Sequence, residues 1–196
     1  MIAPPILGLA TRVLMATGSG RSCTAASAAA VQVFCDLDGV LCDFDAGVRR
    51  VFNGKGPEYF HRGSIAKMWG GLARVEGGFY SKLDWMPGGY DLWQHISVMD
   101  PAPIILTGLP RGTWAEPQKR AWCQRELGDH VQVITCMSRD KQKYCVRAGS
   151  ILIDDREDVG ERWMQFGGHF VHHVSTESSI LQLERLLRLS NQARGS

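Results

Sequence analysis

The first 35 residues contain no aspartate or glutamate. Arg12 and Arg21 are the charged side chains there, set among many Ala, Ser and Thr, and ILGLATRVLMA (residues 6–16) can form a short amphipathic helix around Arg12. An acid-free, arginine-bearing, hydroxyl-rich leader has the composition of an organellar transit peptide, mitochondrial first and plastid second, over residues 1–30. No cation precedes the apolar stretch, which counts against a secretory signal; a disordered low-complexity tail is the alternative. Other absences narrow the class further. The six cysteines (Cys23, Cys35, Cys42, Cys123, Cys136, Cys145) include no Cys-x-x-Cys pair and are scattered through apolar segments. Buried reduced thiols explain them better than a disulfide framework. Charge of neither sign is in excess: beyond the leader, 20 basic residues face 20 acidic ones. A nucleic-acid-coating or membrane-surface protein would carry a clear imbalance. No apolar run is long enough to cross a bilayer, so no membrane partner is expected, and neither an internal repeat nor a sustained heptad is found.

What is present is ordinary in bulk and specific in pattern. A chain of 196 residues that is 44% apolar fits one globular domain with a small insertion. From Val31 onward, short apolar runs alternate with helical periodicity. VQVFCD (31–36), PIILTG (103–108), VQVITC (131–136), SILIDD (150–155) and HFVHHV (169–174) read as strands covered on both faces. Helices are expected over Tyr90–Met99, Trp114–Leu127, Asp158–Phe166 and Thr176–Leu189, with Gly128 and Gly167 just past two of them as C-caps. This order predicts an α/β fold, a Rossmann-like parallel sheet flanked by helices and joined by right-handed crossovers. Residues 44–87 break the rhythm with clustered aromatics and glycines, and they are too many for an ordinary connection. They read as a small helical cap inserted after the first strand. The core is then residues 31–43 and 88–190, with a tail at 191–196.

The chemistry gathers at the strand ends. VFCDLDGVLCDF (33–44) ends an apolar strand in two carboxylates, Asp36 and Asp38, and buried carboxylates are costly unless paired. Thr107 and Gly108 end the second strand, Ser138, Arg139, Asp140 and Lys141 follow the third, and Asp154 and Asp155 end the fourth. In a doubly wound sheet, ligands bind at these carboxyl ends. Carboxylates converging from two strands repel unless a cation lies between them, and Mg2+, a hard ion taking oxygen ligands, resolves that repulsion while leaving positions open to a phosphate. Thr107 can hydrogen-bond a phosphoryl oxygen, and Lys141 can offset charge developing in the transition state.

With DLDGV, IILTG, a lysine and LIDD in this order across residues 33–158, the chain resembles the haloacid dehalogenase superfamily of phosphotransferases. It is most similar to the small 5'(3')-deoxyribonucleotidases, a likeness carried by DGVLCDF, LDWMPGG, QKRAWCQRELG, SRDK and LIDDRE. The resemblance implies Asp36 as the nucleophile that forms an aspartyl-phosphate. It implies Asp38 as the acid that protonates the leaving alkoxide and then activates water, its backbone carbonyl helping to hold the ion. Thr107 and Lys141 would grip the phosphoryl group. Asp36, Asp38 and Asp155 would hold Mg2+, with Asp154 and Asp158 behind them. Phe44 matches a base-stacking position and Gly108 a substrate contact, so the implied substrate is a small phosphomonoester, a nucleoside monophosphate. Two departures stand out. Gly108 replaces a second hydroxyl-bearing residue after the threonine. The interval from Lys141 to Asp155 is a few residues longer than in that branch, which keeps Lys143 open as the motif lysine.

Competing readings are a polynucleotide 3'-phosphatase, to which the stretch from Thr107 through LIDDRE and Trp163 is also similar, and a non-catalytic subunit of an organellar assembly. The first calls for a broad basic groove, against which the balanced charge argues. The second would make an oligomer or larger complex the functional unit. His169, His172 and His173 lack ligand-like spacing and are expected to be structural, and Trp114, Trp122 and Trp163 are expected in the core.

Overall fold

A computed structural model of the protein describes residues 30–61 and 63–195. The transit-peptide expectation falls on residues 1–29, outside them, as does Cys23. The apolar runs form five strands, β1 (Val33–Cys35), β2 (Ile104–Gly108), β3 (Val133–Cys136), β4 (Ile151–Asp154) and β5 (His169–His172). All neighbours are parallel, in the order β3-β2-β1-β4-β5. Alternate side chains of each strand enter opposite layers. Val33, Cys35, Ile105, Ile151, Ile153 and Val171 belong to one apolar cluster, while Phe34, Leu106 and Leu152 join Val159 and Trp163 in the other. That two-residue period, apolar on both faces, is why the strands read as continuous apolar runs.

Helices α1 (Phe44–Val51), α2 (Pro57–Phe60) and α3 (Ile65–Leu72) form within the insertion, followed by a 3-10 turn at Tyr80–Lys82. Asp43 caps α1 by accepting from Ala46 N at 2.8 Å, and Pro57 opens α2 where a missing N–H costs nothing. Four longer helices cover the sheet: α4 (Gly89–Ser97), α5 (Ala115–Leu127), α6 (Glu157–Gln165) and α7 (Thr176–Gly195). Gly128 and Gly167, just past α5 and α6, both take positive φ. The insertion leaves and returns side by side: Asp43 N donates to Asp84 O at 2.9 Å, and Met86 N donates to Leu41 O at 2.7 Å. Its apolar residues Val48, Met68, Leu72 and Phe79 join the same cluster as one sheet face. Helix α5 ties down its far end, since Trp122 Nε1 donates to Leu83 O at 2.9 Å and Gln118 Oε1 accepts from Tyr80 N at 3.0 Å.

The strand order fixes where a site can form. From β1 the chain builds outward to β2 and β3, then returns to lay β4 on the other side of β1. The carboxyl ends of β1 and β4 therefore flank the point where the winding reverses, the usual ligand crevice of such sheets.

Candidate active site

Asp36 follows β1, is 6% exposed, and its N–H donates to Ile153 O of β4 at 2.9 Å. That pairing sets it beside the end of β4. One ligand atom from each of Asp36, Asp154 and Asp155 lies within 4.8 Å of the others. Gly39 lets the loop close over them. Its φ is +75°, and a Cβ there would stand 2.6 Å from Asp155 Oδ2, so both the left-handed backbone and the close approach require glycine.

Lys141 is buried against this group, 2.8 Å from Asp36 Oδ1 and 2.7 Å from Asp154 Oδ2. Burial works against its charge, but the two carboxylates outweigh that and hold the ammonium above the ordinary lysine range. The contact with Asp36 is ionic without the alignment of a hydrogen bond, and Asp36 Oδ1 has no hydrogen-bond donor among the described residues. The rest of the acidic group feels the crowding. Burial, then the charge of Asp36, pushes Asp154 up to about 6 against the pull of Lys141. Desolvation and the charges of Asp36 and Asp154 push Asp155 up to about 7, although its side chain is open to the cleft. Three carboxylates sharing one ammonium, with all-oxygen donors, fit a small divalent cation.

A second lysine was not foreseen. Lys119 of α5 has no exposed surface, and its three protons are all used: Nζ donates to Asp38 Oδ2 at 2.7 Å, Thr107 Oγ1 at 2.9 Å and Gly108 O at 2.7 Å. It also lies 4.5 Å from the centroid of the Tyr80 ring. The other oxygen of Asp38 faces Cys42 Sγ at 3.5 Å. Burial raises the Asp38 carboxyl, with Asp36 adding to the rise and Lys119 opposing it. The signal for Lys119 was its register: with Ala115, Trp122 and Cys123 it occupies the buried face of α5.

Above these groups lies a cleft of about 530 Å³. Asp36, Asp38, Gly108 and Asp155 line its floor; Phe44, Trp69 and Tyr80 form an aromatic wall, joined by Ser138 and Arg156. Phe44 is held by Trp69, Phe79 and Tyr80, with centroids 5.8, 5.6 and 6.2 Å away. The Tyr80 hydroxyl is buried with no partner among the described residues. The structure thus gathers Asp36, Asp38, Gly108, Asp154, Asp155, Phe44 and Lys141. Thr107 is fully buried with its hydroxyl toward Lys119, behind the cleft surface. Lys143 points away to Asp140 at 2.8 Å, which leaves Lys141 as the lysine in contact with Asp36. Asp158 stays outside the acidic group, paired with Arg156 and Arg162 on the surface. His169, His172 and His173 do not line the cleft: His173 pairs with Ser179 at 2.8 Å, and His172 Nε2 is 3.1 Å from Asp155 O.

No protein-family model matches the chain. Among curated proteins it is 28% identical over 151 residues to the cytosolic-type 5'(3')-deoxyribonucleotidase of Homo sapiens, covering 67% of this chain and 74% of that one. It is 24% identical over 153 residues to the mitochondrial 5'(3')-deoxyribonucleotidase of Mus musculus, covering 68% of each. The human mitochondrial counterpart is 25% identical over 149 residues, covering 66% of this chain and 64% of its own length. Motif order, parallel sheet and these relatives together support the haloacid dehalogenase superfamily, in its 5'-nucleotidase branch, as the family of this chain, and with it a phosphatase.

Proposed function

We propose that the protein is a Mg2+-dependent phosphomonoester hydrolase acting on nucleoside monophosphates through an aspartyl-phosphate on Asp36, as a 5'(3')-deoxyribonucleotidase would. The observation that carries this reading is the meeting of Asp36, Asp154 and Asp155 within 4.8 Å at the reversal point of the sheet, with Lys141 as the one ammonium among the described residues in contact with them. Mg2+ held by Asp36, Asp155 and the backbone carbonyl of Asp38, with Asp154 steadied behind by Lys141, would screen the approach of two anions and polarise the phosphoryl group.

The residues divide the work. A carboxylate oxygen of Asp36 attacks phosphorus, the ester P–O bond breaks, and Asp38 gives its proton to the departing alkoxide. The raised carboxyl of Asp38 suits it to hold that proton. Asp38 then takes a proton from water, whose oxygen displaces Asp36 from phosphorus and releases orthophosphate. Lys119 keeps Asp38 facing the cleft, and Lys141 fixes Asp36. Residues 44–87 act as the cap, whose Phe44 and Trp69 stack on a base without demanding one hydrogen-bond pattern. The aromatic lining of the cleft and the absence of a charge excess favour a mononucleotide over a nucleic-acid end, and the mitochondrial relatives keep an organellar site of action in view.

The test is hydrolysis by the purified protein of dUMP and of a 3'-phosphorylated oligonucleotide, with Mg2+ and with EDTA. The expected result is Mg2+-dependent release of orthophosphate from dUMP, abolished in Asp36→Asn. Preference for the oligonucleotide would transfer the reading to end repair. Inactivity on a panel of monophosphates would favour a structural subunit.

A further inference from the structure

Of the groups that could grip a phosphoryl oxygen, two do not line the cleft. The Thr107 hydroxyl oxygen accepts a hydrogen bond from Lys119 behind the cleft wall, and Lys141 is buried between Asp36 and Asp154. Ser138 is different. It lines the cleft with Asp36, Asp38 and Gly108, and its hydroxyl makes no hydrogen bond to any described residue. It is the first residue of a 3-10 helix, Ser138–Tyr144, whose N-cap is Met137 with no side-chain cap bond, so the hydroxyl is not spent on the helix end. In a 3-10 helix, side chains three apart are eclipsed. Ser138 therefore projects on the same side as Lys141, which touches Asp36. The backbone opposite makes room for it: a Cβ built on Gly108 would collide with Ser138 Oγ. Gly108 does not have positive φ, so backbone conformation does not call for glycine there. Its missing side chain is the space the serine hydroxyl occupies.

We propose that Ser138, seated in the space left by the missing side chain of Gly108, donates its hydroxyl to a phosphoryl oxygen held at Asp36. The ligand class is a phosphate oxyanion, whether a phosphomonoester or orthophosphate, and the assignment rests on the phosphatase reading of the same cleft. A neutral hydroxyl on an anionic oxygen makes a charge-assisted bond, stronger than an ordinary one. Because the hydroxyl bonds nothing in the free protein, removing it costs the fold nothing.

The experiment titrates orthophosphate in Mg2+ buffer into the full chain as wild type, Ser138→Ala, Gly108→Ala and the double variant, with thermal melting alongside. Ser138→Ala is expected to weaken orthophosphate binding about 10- to 100-fold, to lower kcat/KM for a phosphomonoester by a similar factor, and to leave Tm unchanged. Gly108→Ala keeps the serine but displaces its hydroxyl, so it shows a similar loss. The double variant is no worse than either single one. Unchanged orthophosphate binding in Ser138→Ala, losses that multiply in the double variant, or a wild type that binds no orthophosphate each overturn the proposal. Weakened binding in Ser138→Ala beside a wild type that hydrolyses no monoester would refute the phosphatase reading and leave the serine site standing. Normal wild-type turnover matched by Ser138→Ala would refute the serine alone.

Discussion

Two fully buried lysines flank the loop that carries Asp36 and Asp38, and they answer different charges. Lys119 meets one carboxylate, Asp38, and fills its remaining donors with the neutral oxygens of Thr107 and Gly108. That side of the loop is balanced. Lys141 meets Asp36 and Asp154 while Asp155 stands beside them, so three carboxylates share one ammonium and, once all three ionise, a double negative charge is left over. The need for a cation is thus confined to the β1–β4 side, and on the β2 side the protein supplies its own. This difference separates a charge left open beside β4 from one closed in advance around Asp38.

The comparison breaks most sharply at Lys141. Lys141→Met leaves the carboxylates unopposed, and losing one partner of a buried pair costs about 3–5 kcal/mol. The metal-free variant should melt far below the wild type, and Mg2+ should recover part of the loss in calorimetry. Lys119→Met strands a single carboxylate whose side chain is 25% exposed, so a smaller cost of about 1–3 kcal/mol is expected. Mg2+ should give this variant no special recovery, and equal rescue of both would sink the division drawn here. Its turnover of alkyl phosphates should fall more than that of p-nitrophenyl phosphate, whose leaving group needs no proton.

The open charge also has a pH signature. Asp154 and Asp155 are raised to about 6 and about 7, so from the ordinary carboxylate range up to neutrality the folded protein holds protons that the unfolded chain has released. Metal-free Tm should therefore fall between pH 5 and pH 8, with Asp155 contributing less because it is open to solvent. The stabilisation by Mg2+ should be greatest at the alkaline end. A metal-free Tm that rises over that window would contradict the crowding. The smallest effect is expected at Tyr80. Its orphaned hydroxyl pays a desolvation cost, so Tyr80→Phe should be neutral or raise the stability of the free protein by up to about 1 kcal/mol.

Much of the framework was legible because its physics is local. All five strands lie within the apolar runs that predict them, since burial on both faces leaves no polar alternation to blur the signal. The carboxylates at the tips were legible for the opposite reason, being out of place in apolar company. Lys119 was not, because Gln118, Arg120 and Arg125 make its helix read as solvated, and only the register shared with Trp122 betrays burial. The aromatic insertion was legible as helical but not in its division of labour. Phe52 and Phe60 pack on each other at 4.7 Å while Phe44 and Trp69 face the cleft. Short glycine-rich helices carry too few turns to declare a face. Asp158 follows LIDD closely, yet its place in the first turn of α6 turns it out to Arg156 and Arg162.

The doorway of the insertion has its own consequence. Asp43 bonds to Asp84 and Leu41 to Met86, so some forty residues begin and end as neighbours, and their length hardly enters the geometry of the strand tips. Since closing a longer loop adds little entropy once its ends are pinned, the parts of this stretch away from the shared core and from Tyr80 can be shortened or lengthened while Asp36 and Asp38 keep their places. Those outer parts of the insertion can therefore drift in sequence while the strand tips beneath them stay still.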